Sequence, residues 1–182
     1  MRLPTVENSL LVAVDLQQKL LPVISGSEKI VERSSILLQA AAELNMDIVV
    51  TEQYPKGLGN TVEELATWLP DKTEVISKTA FSVFGEPAFN TALTKKRRDI
   101  LIFIGVEMHV CLLQSVLDAL NSGYDVWVVA DAVGSRKDSD KNLALTVAEN
   151  AGAVVVSAES LLFMLLRDAK NPGFKAISSL IK

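Results

Sequence analysis

Short apolar runs alternate along the chain with longer stretches in which apolar residues recur every three or four positions. The short runs predict six β-strands, at residues 9–16, 47–51, 74–78, 99–105, 125–132 and 153–158. The longer stretches predict α-helices, at residues 27–45, 61–69, 86–97, 109–122, 140–152 and 159–168. Because the strands are apolar almost throughout, both faces of the sheet must be covered, which is typical of a parallel sheet between two helical layers.

Local signals mark several helix ends and the course of the chain. Thr61 with Glu64 three residues later predicts a capping box, Pro87 suits a first helical turn, and Gly123 suits the position after a helix. Right-handed crossovers then predict a doubly wound, three-layer αβα fold whose six-stranded, mostly parallel sheet has the order 3-2-1-4-5-6. No linker divides the chain, so we predict a single domain over residues 1–182.

The composition of the chain indicates in which cellular compartment we expect the protein. The chain has 182 residues, 49% of them hydrophobic, and a formal net charge of −4. Its single cysteine excludes an intrachain disulfide framework and fits a reducing compartment, so we predict a cytoplasmic protein, with mitochondria as the alternative in a eukaryote. The first apolar run is typical of a buried strand rather than a signal peptide, and no apolar run reaches the ~18 residues of a membrane span.

Several classes of ligand are not expected. The densest cationic run, residues 94–99, falls at a predicted helix end, where cations favour the helix dipole, so we predict no nucleic-acid partner. One cysteine and one histidine are too few for a typical zinc site. A glycine-rich dinucleotide motif is missing after the first strand. We therefore predict neither a metal nor another cofactor.

Three polar residues follow strands that this topology brings together. Asp15 follows the first strand, Lys78 ends the third, and Cys111 comes a short turn after the fourth. Ligands of such sheets bind beyond the carboxyl ends of the strands, where the strand order reverses. An aspartate base, a lysine cation and a cysteine whose thiol pKa is lowered by a helix N-terminus and an ammonium would form a nucleophilic site. Each residue also has an ordinary alternative: a packed cysteine, a capping aspartate and a solvated lysine.

His109 lies two residues before Cys111. Residues with this spacing point in different directions on a helix, although an extended turn would place them on one side. We therefore interpret His109 as a supporting or interface residue rather than as the base for Cys111.

Five segments, in order, carry a family resemblance. They are "VDLQ" (14–17), "TEQYPKGLG" (51–59), "SKTAFSVF" (77–84), "IFIGVEMHVCLLQSVLDAL" (102–120) and "VVADAVGSR" (128–136). The chain resembles the isochorismatase-like hydrolase superfamily of cysteine hydrolases, and within it the isochorismatase-domain-containing proteins. The resemblance assigns the catalytic triad to Asp15, Lys78 and Cys111, and it implies a cis peptide bond between Val106 and Glu107.

The resemblance also suggests which residues contact a small-molecule substrate. Aromatic side chains would form the pocket walls, Gln17 or Gln18 would lie near the mouth, and the stretch before Cys111 would face the substrate oxygen. The predicted substrate-binding residues are Gln17, Tyr54, Phe81, Phe84, Val106, Glu107 and Met108. The spacing of Phe81 and Phe84 is equally expected of core packing.

Some positions depart from the family pattern. Met108 stands where a threonine is common, and Glu52-Gln53-Tyr54 replaces the Asp-x-His metal motif of the nicotinamidases. Nicotinamidase activity is therefore not expected, and the polar groups that would bind the dicarboxylate isochorismate are not identifiable. We predict that Arg136 pairs with Asp131 or contacts another subunit, since the superfamily commonly forms dimers or larger rings.

These observations favour an enzyme that hydrolyses a small amide or related C–N bond through a thioester at Cys111. Three alternatives stay open at this point. The chain could be a binding or scaffold protein that keeps the fold, an isochorismatase-type ether hydrolase, or a redox sensor that lacks a resolving cysteine. A homo-oligomer, from a dimer or tetramer upward, is expected in each case.

Overall fold

The computed structural model describes residues 2–182, and it contains one parallel six-stranded sheet with the order β3-β2-β1-β4-β5-β6. This confirms the predicted fold. The strands are β1 (Ser9–Val14), β2 (Asp47–Gln53), β3 (Glu74–Lys78), β4 (Ile100–Val106), β5 (Asp125–Gly134) and β6 (Val154–Val156). The helices are α1 (Ser27–Glu43), α2 (Pro55–Leu58), α3 (Glu63–Ala66), α4 (Pro87–Lys96), α5 (Leu113–Asn121), α6 (Asp138–Asn150), α7 (Ala158–Leu166) and α8 (Phe174–Leu180).

Two apolar layers cover the sheet, one on each face. Alternate residues of β1 divide between them: Leu11 and Ala13 join the layer that contains α1, α7 and α8, while Leu10 and Val12 join the layer of α4, α5 and α6. Each fully buried leucine or valine contributes roughly 1.5–3 kcal/mol to folding. The uninterrupted apolar strands predicted this two-sided burial correctly.

The strand order reverses between β1 and β4, and these strands approach closely at their carboxyl ends. Val14 pairs with Gly105, which has a φ of +117°. A Cβ atom on Gly105 would lie 2.0 Å from the carbonyl oxygen of Val14. Only glycine fits this position, immediately before the two loops that carry Asp15 and Cys111.

The capping box predicted at Thr61 is wrong. The helix begins at Glu63, its N-cap is Val62, and no side chain caps it. The backbone N–H and the hydroxyl of Thr61 instead donate to Oε1 of Glu52, at 2.7 and 2.9 Å. Because Glu52 is buried, its carboxylate needs these donors more than the helix end does, since exposed N–H groups can bond to water.

The other boundaries differ from prediction by a few residues. β2 continues two residues further than predicted, and the helix predicted at 109–122 begins with a π-helical turn, Met108–Leu112, before α5. The sequence patterns missed α2 and α8. None of the helices within residues 2–182 combines the length and hydropathy that crossing a bilayer requires.

Candidate active site

Asp15 lies directly beyond β1 and is fully buried. Its backbone is left-handed, with a φ of +54°, a conformation that aspartate adopts more readily than most residues. The backbone N–H donates to the carbonyl of Thr51 at 3.0 Å, and the Thr51 hydroxyl donates to Oδ1 at 2.8 Å. These bonds to β2 fix the carboxylate and leave Oδ2 to face Lys78.

Lys78 is the last residue of β3, and its side chain has no exposed surface. Its Nζ donates to Oδ2 of Asp15 at 2.8 Å and to Oε1 of Gln53 at 2.6 Å. The carbonyl oxygens of Phe81 and Ala80 lie 3.0 and 3.3 Å away. A buried ammonium is tolerated only with such compensation, and here a carboxylate, an amide and two carbonyls provide it.

Cys111 lies in the π-helical turn after β4 and is 7% exposed. Burial, together with the negative charge of Asp15, raises the pKa of the thiol to about 12, although Lys78 acts in the opposite direction. The prediction of a lowered thiol pKa is therefore wrong for the free protein, because desolvation and the carboxylate outweigh the ammonium. This environment favours the neutral form of the Cys111 thiol.

The three side chains predicted as a triad come together. Asp15 accepts hydrogen bonds from Lys78 and Thr51, both at 2.8 Å, and Asp15 and the Cys111 thiol lie close enough to shift each other's pKa. Burial raises the pKa of the Asp15 carboxyl above its usual range, while these partners pull the pKa down. A carboxylate with a raised proton affinity, in contact with a thiol, is suited to accept the thiol proton.

The predicted aromatic residues separate into two groups. Tyr54 and Phe81 are 55% and 54% exposed. Phe84 is only half-buried, and its ring packs against Phe89 and Tyr124 with centroid distances of 5.5 and 6.1 Å. Phe84 thus takes the core-packing position that its spacing from Phe81 also allowed.

Gln17 is fully buried, and its amide binds backbone rather than pointing to a mouth. Nε2 donates to the carbonyls of Gln53 and Gly59, at 3.0 and 2.6 Å. Oε1 accepts from the N–H of Gln53 at 2.7 Å. Gln17 therefore holds the two ends of the segment from Gln53 to Gly59 together.

The stretch before Cys111 is well fixed. The peptide bond between Val106 and Glu107 is cis. The side chains of Val106 and Met108 are buried among apolar residues, so the Met108 departure from the family pattern affects core packing. Only backbone groups of Val106 and Met108 can therefore contact a substrate.

Arg136 pairs with Glu107 rather than with Asp131, and the predicted alternative, a contact with another subunit, stays a prediction. The backbone N–H and Nε of Arg136 donate to the Glu107 carboxylate at 3.1 and 3.2 Å. Oδ1 of Asp131 instead accepts from the N–H of Ala158 at 2.8 Å. Glu107 is nearly buried and accepts two hydrogen bonds from Arg136. Asp131 instead accepts a hydrogen bond from the first residue of α7.

His109 contacts Ser135 rather than Cys111. Its Nδ1 lies 2.9 Å from the hydroxyl oxygen of Ser135, and its backbone N–H donates to the same oxygen at 3.4 Å. This contact agrees with the interpretation of His109 as a supporting residue.

Sequence reasoning missed Gln53, which binds both Lys78 and Gln17. In the sheet, Gln53 is the register partner of Lys78. Extending the β2 strand by two residues would have placed them side by side. Among residues 2–182, no group of three or more histidine, cysteine, aspartate and glutamate side chains is arranged to hold a metal ion.

The isochorismatase domain model matches residues 9–160, which include all three residues of the candidate triad. The chain belongs to the isochorismatase-like hydrolase superfamily. Its relatives include isochorismatase family protein 1B of Dictyostelium discoideum, which is 37% identical over 180 residues, covering 97% of this chain and 87% of that protein.

Two solved structures of this superfamily extend the comparison. The MAR1 ribonuclease from Caenorhabditis elegans has a TM-score of 0.94 and 38% identity, over 99% of this chain and 92% of its own. YcaC from Pseudomonas aeruginosa, solved with hexane-2,5-diol and covalent acrylamide, has a TM-score of 0.92 and 26% identity, over 98% and 91%. The isochorismatase fold is therefore retained over almost the full chain.

Proposed function

We propose that this isochorismatase-domain chain is a cysteine hydrolase that cleaves a small amide or a related C–N bond. The observation that carries the proposal is the fully buried Asp15–Lys78 ion pair, with Nζ and Oδ2 2.8 Å apart, whose charges act on the thiol of Cys111, the chain's single cysteine. A buried ion pair adds little to stability, whereas it can hold a proton acceptor beside a nucleophile.

In the proposed acylation step, the Cys111 sulfur attacks the carbonyl carbon as its proton passes to Asp15. Because the thiol pKa is raised, we propose that proton loss and attack are coupled, with Asp15, which interacts with the thiol, as the base. The C–N bond then breaks, and the amine leaves with the proton from Asp15. The product is a thioester on Cys111.

Water completes the proposed cycle. Asp15 takes a proton from the water that attacks the thioester carbon, the C–S bond breaks, and the sulfur recovers the proton. Lys78 remains charged and steadies Asp15 through both steps. Backbone N–H groups of the turn that begins at Met108 are the proposed donors to the developing oxyanion.

Charge pairing around the site favours an uncharged substrate over isochorismate. Lys78 is bound to Asp15, and Arg136 is bound to Glu107. A dicarboxylate would have to compete with the protein's own carboxylates for these cations. A small uncharged amide would not have to compete for these cations. Acrylamide, which is covalently attached in the related YcaC, is a small uncharged amide, and its activated double bond makes it a probe of the thiol rather than of C–N cleavage.

The test is turnover of a panel of small amides, ureas and carbamoyl compounds by the wild type and by Cys111→Ala. We expect the wild type to hydrolyse several of them and the alanine variant to lose at least ~10³-fold in rate. Mass spectrometry should detect an acyl adduct on wild-type Cys111. Equal turnover by both proteins would refute the nucleophile, and no turnover by either would favour the scaffold alternative.

RNA belongs in the same panel because a relative is a ribonuclease. This chain has a net charge of −4 and a sequence pI near 5.1, which disfavours binding to a polyanion. We therefore expect no cleavage of RNA that depends on Cys111, Asp15 or Lys78. RNA cleavage that disappears in Cys111→Ala would replace the amide proposal.

A further inference from the structure

Gln53 makes the shortest of the hydrogen bonds that surround the Lys78 ammonium. Its Oε1 lies 2.6 Å from Nζ, compared with 2.8 Å for Asp15 and 3.0 Å for the carbonyl of Phe81. An ammonium has three protons, and these three acceptors are the nearest to it. One of the three directions that fix the ammonium is therefore set by Gln53.

The amide of Gln53 cannot easily turn away. Its Nε2 donates to the carbonyl of Thr79 at 2.8 Å, which leaves Oε1 facing Lys78. Its backbone N–H and carbonyl are both bound by the buried amide of Gln17, at 2.7 and 3.0 Å. Two glutamines in series thus connect the segment that ends at Gly59 to the lysine of the site.

We propose that Gln53 is a positioning residue, which holds the ammonium of Lys78 between the Asp15 carboxylate and the Cys111 sulfur. The proposal rests on the proposed cysteine mechanism and adds a residue to it. Lysine has a long side chain with four rotatable bonds, so loss of one acceptor frees its tip. A freed ammonium stabilises the thiolate less, because the attraction falls with distance.

The test uses alkylation of Cys111 by iodoacetamide across a range of pH, followed by intact mass. The chain has one cysteine, so every mass increase from a thiol adduct reports on Cys111. Gln53→Met keeps the length but removes the acceptor, and Gln53→Asn keeps the amide but shortens its reach. Gln39→Met is the matched control, because Gln39 is another half-buried glutamine, bonded to Ser35 at 3.0 Å on α1.

Both Gln53 variants should be alkylated about three- to tenfold more slowly at a given pH, with the pH–rate curve displaced to higher pH. Gln39→Met should follow the wild-type curve. A wild-type curve in either Gln53 variant, once circular dichroism shows it folded, overturns the inference. Failure of the cysteine mechanism has a different signature, since Cys111→Ala would then turn over substrate as fast as the wild type.

Discussion

Asp15 and Lys78 act on the Cys111 thiol in opposite directions. The Asp15 charge and hydrogen bond raise the thiol pKa, and the Lys78 charge and hydrogen bond lower it. Burial is the largest cause of the raised thiol pKa and acts in the same direction as Asp15, so the neutral thiol is favoured at neutral pH. A redox sensor needs a thiolate that reacts readily, so the raised thiol pKa argues against the redox-sensor alternative.

We therefore expect opposite effects from two substitutions. Asp15→Asn should speed the alkylation of Cys111 by iodoacetamide at mildly alkaline pH by about tenfold, because it removes a charge that raises the thiol pKa. Lys78→Met should slow alkylation by a similar factor. Both variants should lose turnover. Slower alkylation in folded Asp15→Asn would mean that Asp15 already acts as the base in the free protein.

The residues that sequence reasoning found are those whose chemistry is unusual for their place. Asp15 stands out without any structure because it is a charged residue directly after an apolar strand, and Lys78 stands out because it ends the third predicted strand at the same edge of the sheet. Gln53 did not stand out in this way, and Glu107 was expected at the site only through the family resemblance. Their roles depend on which residue lies opposite, and the register of a sheet is set by packing across strands.

At the scale of elements, the cationic run at the end of α4 attaches this helix to the sheet. Lys96 and Arg98 hold Asp47, the first residue of β2, with N–O distances of 3.4 and 2.8 Å. Burial acts to raise the pKa of Asp47, but the hydrogen bond and charge of Arg98 and the charge of Lys96 lower it overall. The end of α4 is thereby attached to the start of a strand.

Replacing this carboxylate should cost stability in a pH-dependent way. Asp47→Asn should lower the free energy of unfolding by about 1 kcal/mol at neutral pH. A carboxyl whose folded pKa is lowered stabilises the protein above its unfolded pKa, near 3.9, and loses that effect as the pH falls through the folded value. Urea unfolding of both proteins should therefore converge in acid. A constant difference at all pH values would contradict the ion pair.

The predictions were most accurate for elements whose sequence carries a single clear hydrophobic pattern. The central strands β1, β2, β4 and β5, which are largely buried on both faces, were found with small errors at their ends. α2 lies within a turn-rich loop, and the patterns gave no sign of α8. The capping box at Thr61 failed because a buried carboxylate competed for the same hydroxyl.

At the scale of the whole molecule, the close approach of β1 and β4 places residues of the candidate site near each other. Gly105 allows this approach, and Asp15 and Cys111 follow the two strands. The strand order was predictable because alternation of strands and helices restricts topology. The close contact at Gly105 was not predictable, since it depends on how near two backbones come to each other in the folded sheet. The single domain, the cytoplasmic location and the homo-oligomer stay predictions.

Gly105→Ala should test this connection. The added Cβ atom would meet backbone, which cannot move aside as a side chain can, so we expect a loss of at least about 2 kcal/mol in the free energy of unfolding. Gly123→Ala is the control. Gly123 also has a positive φ, +87°, but its Cβ position is open. That variant should lose only about 1 kcal/mol in the same urea titration. Equal losses would show that φ alone matters.

The burial of the Asp15–Lys78 pair determines how the site responds to the salt concentration of the solution. Neither Asp15 nor Lys78 exposes side-chain surface, so dissolved ions cannot come between them or gather around either. Mobile ions screen exposed charges over about 10 Å at 0.1 M salt but have little effect on buried ones. Saline and dilute media should therefore leave the chemistry at the sulfur nearly the same.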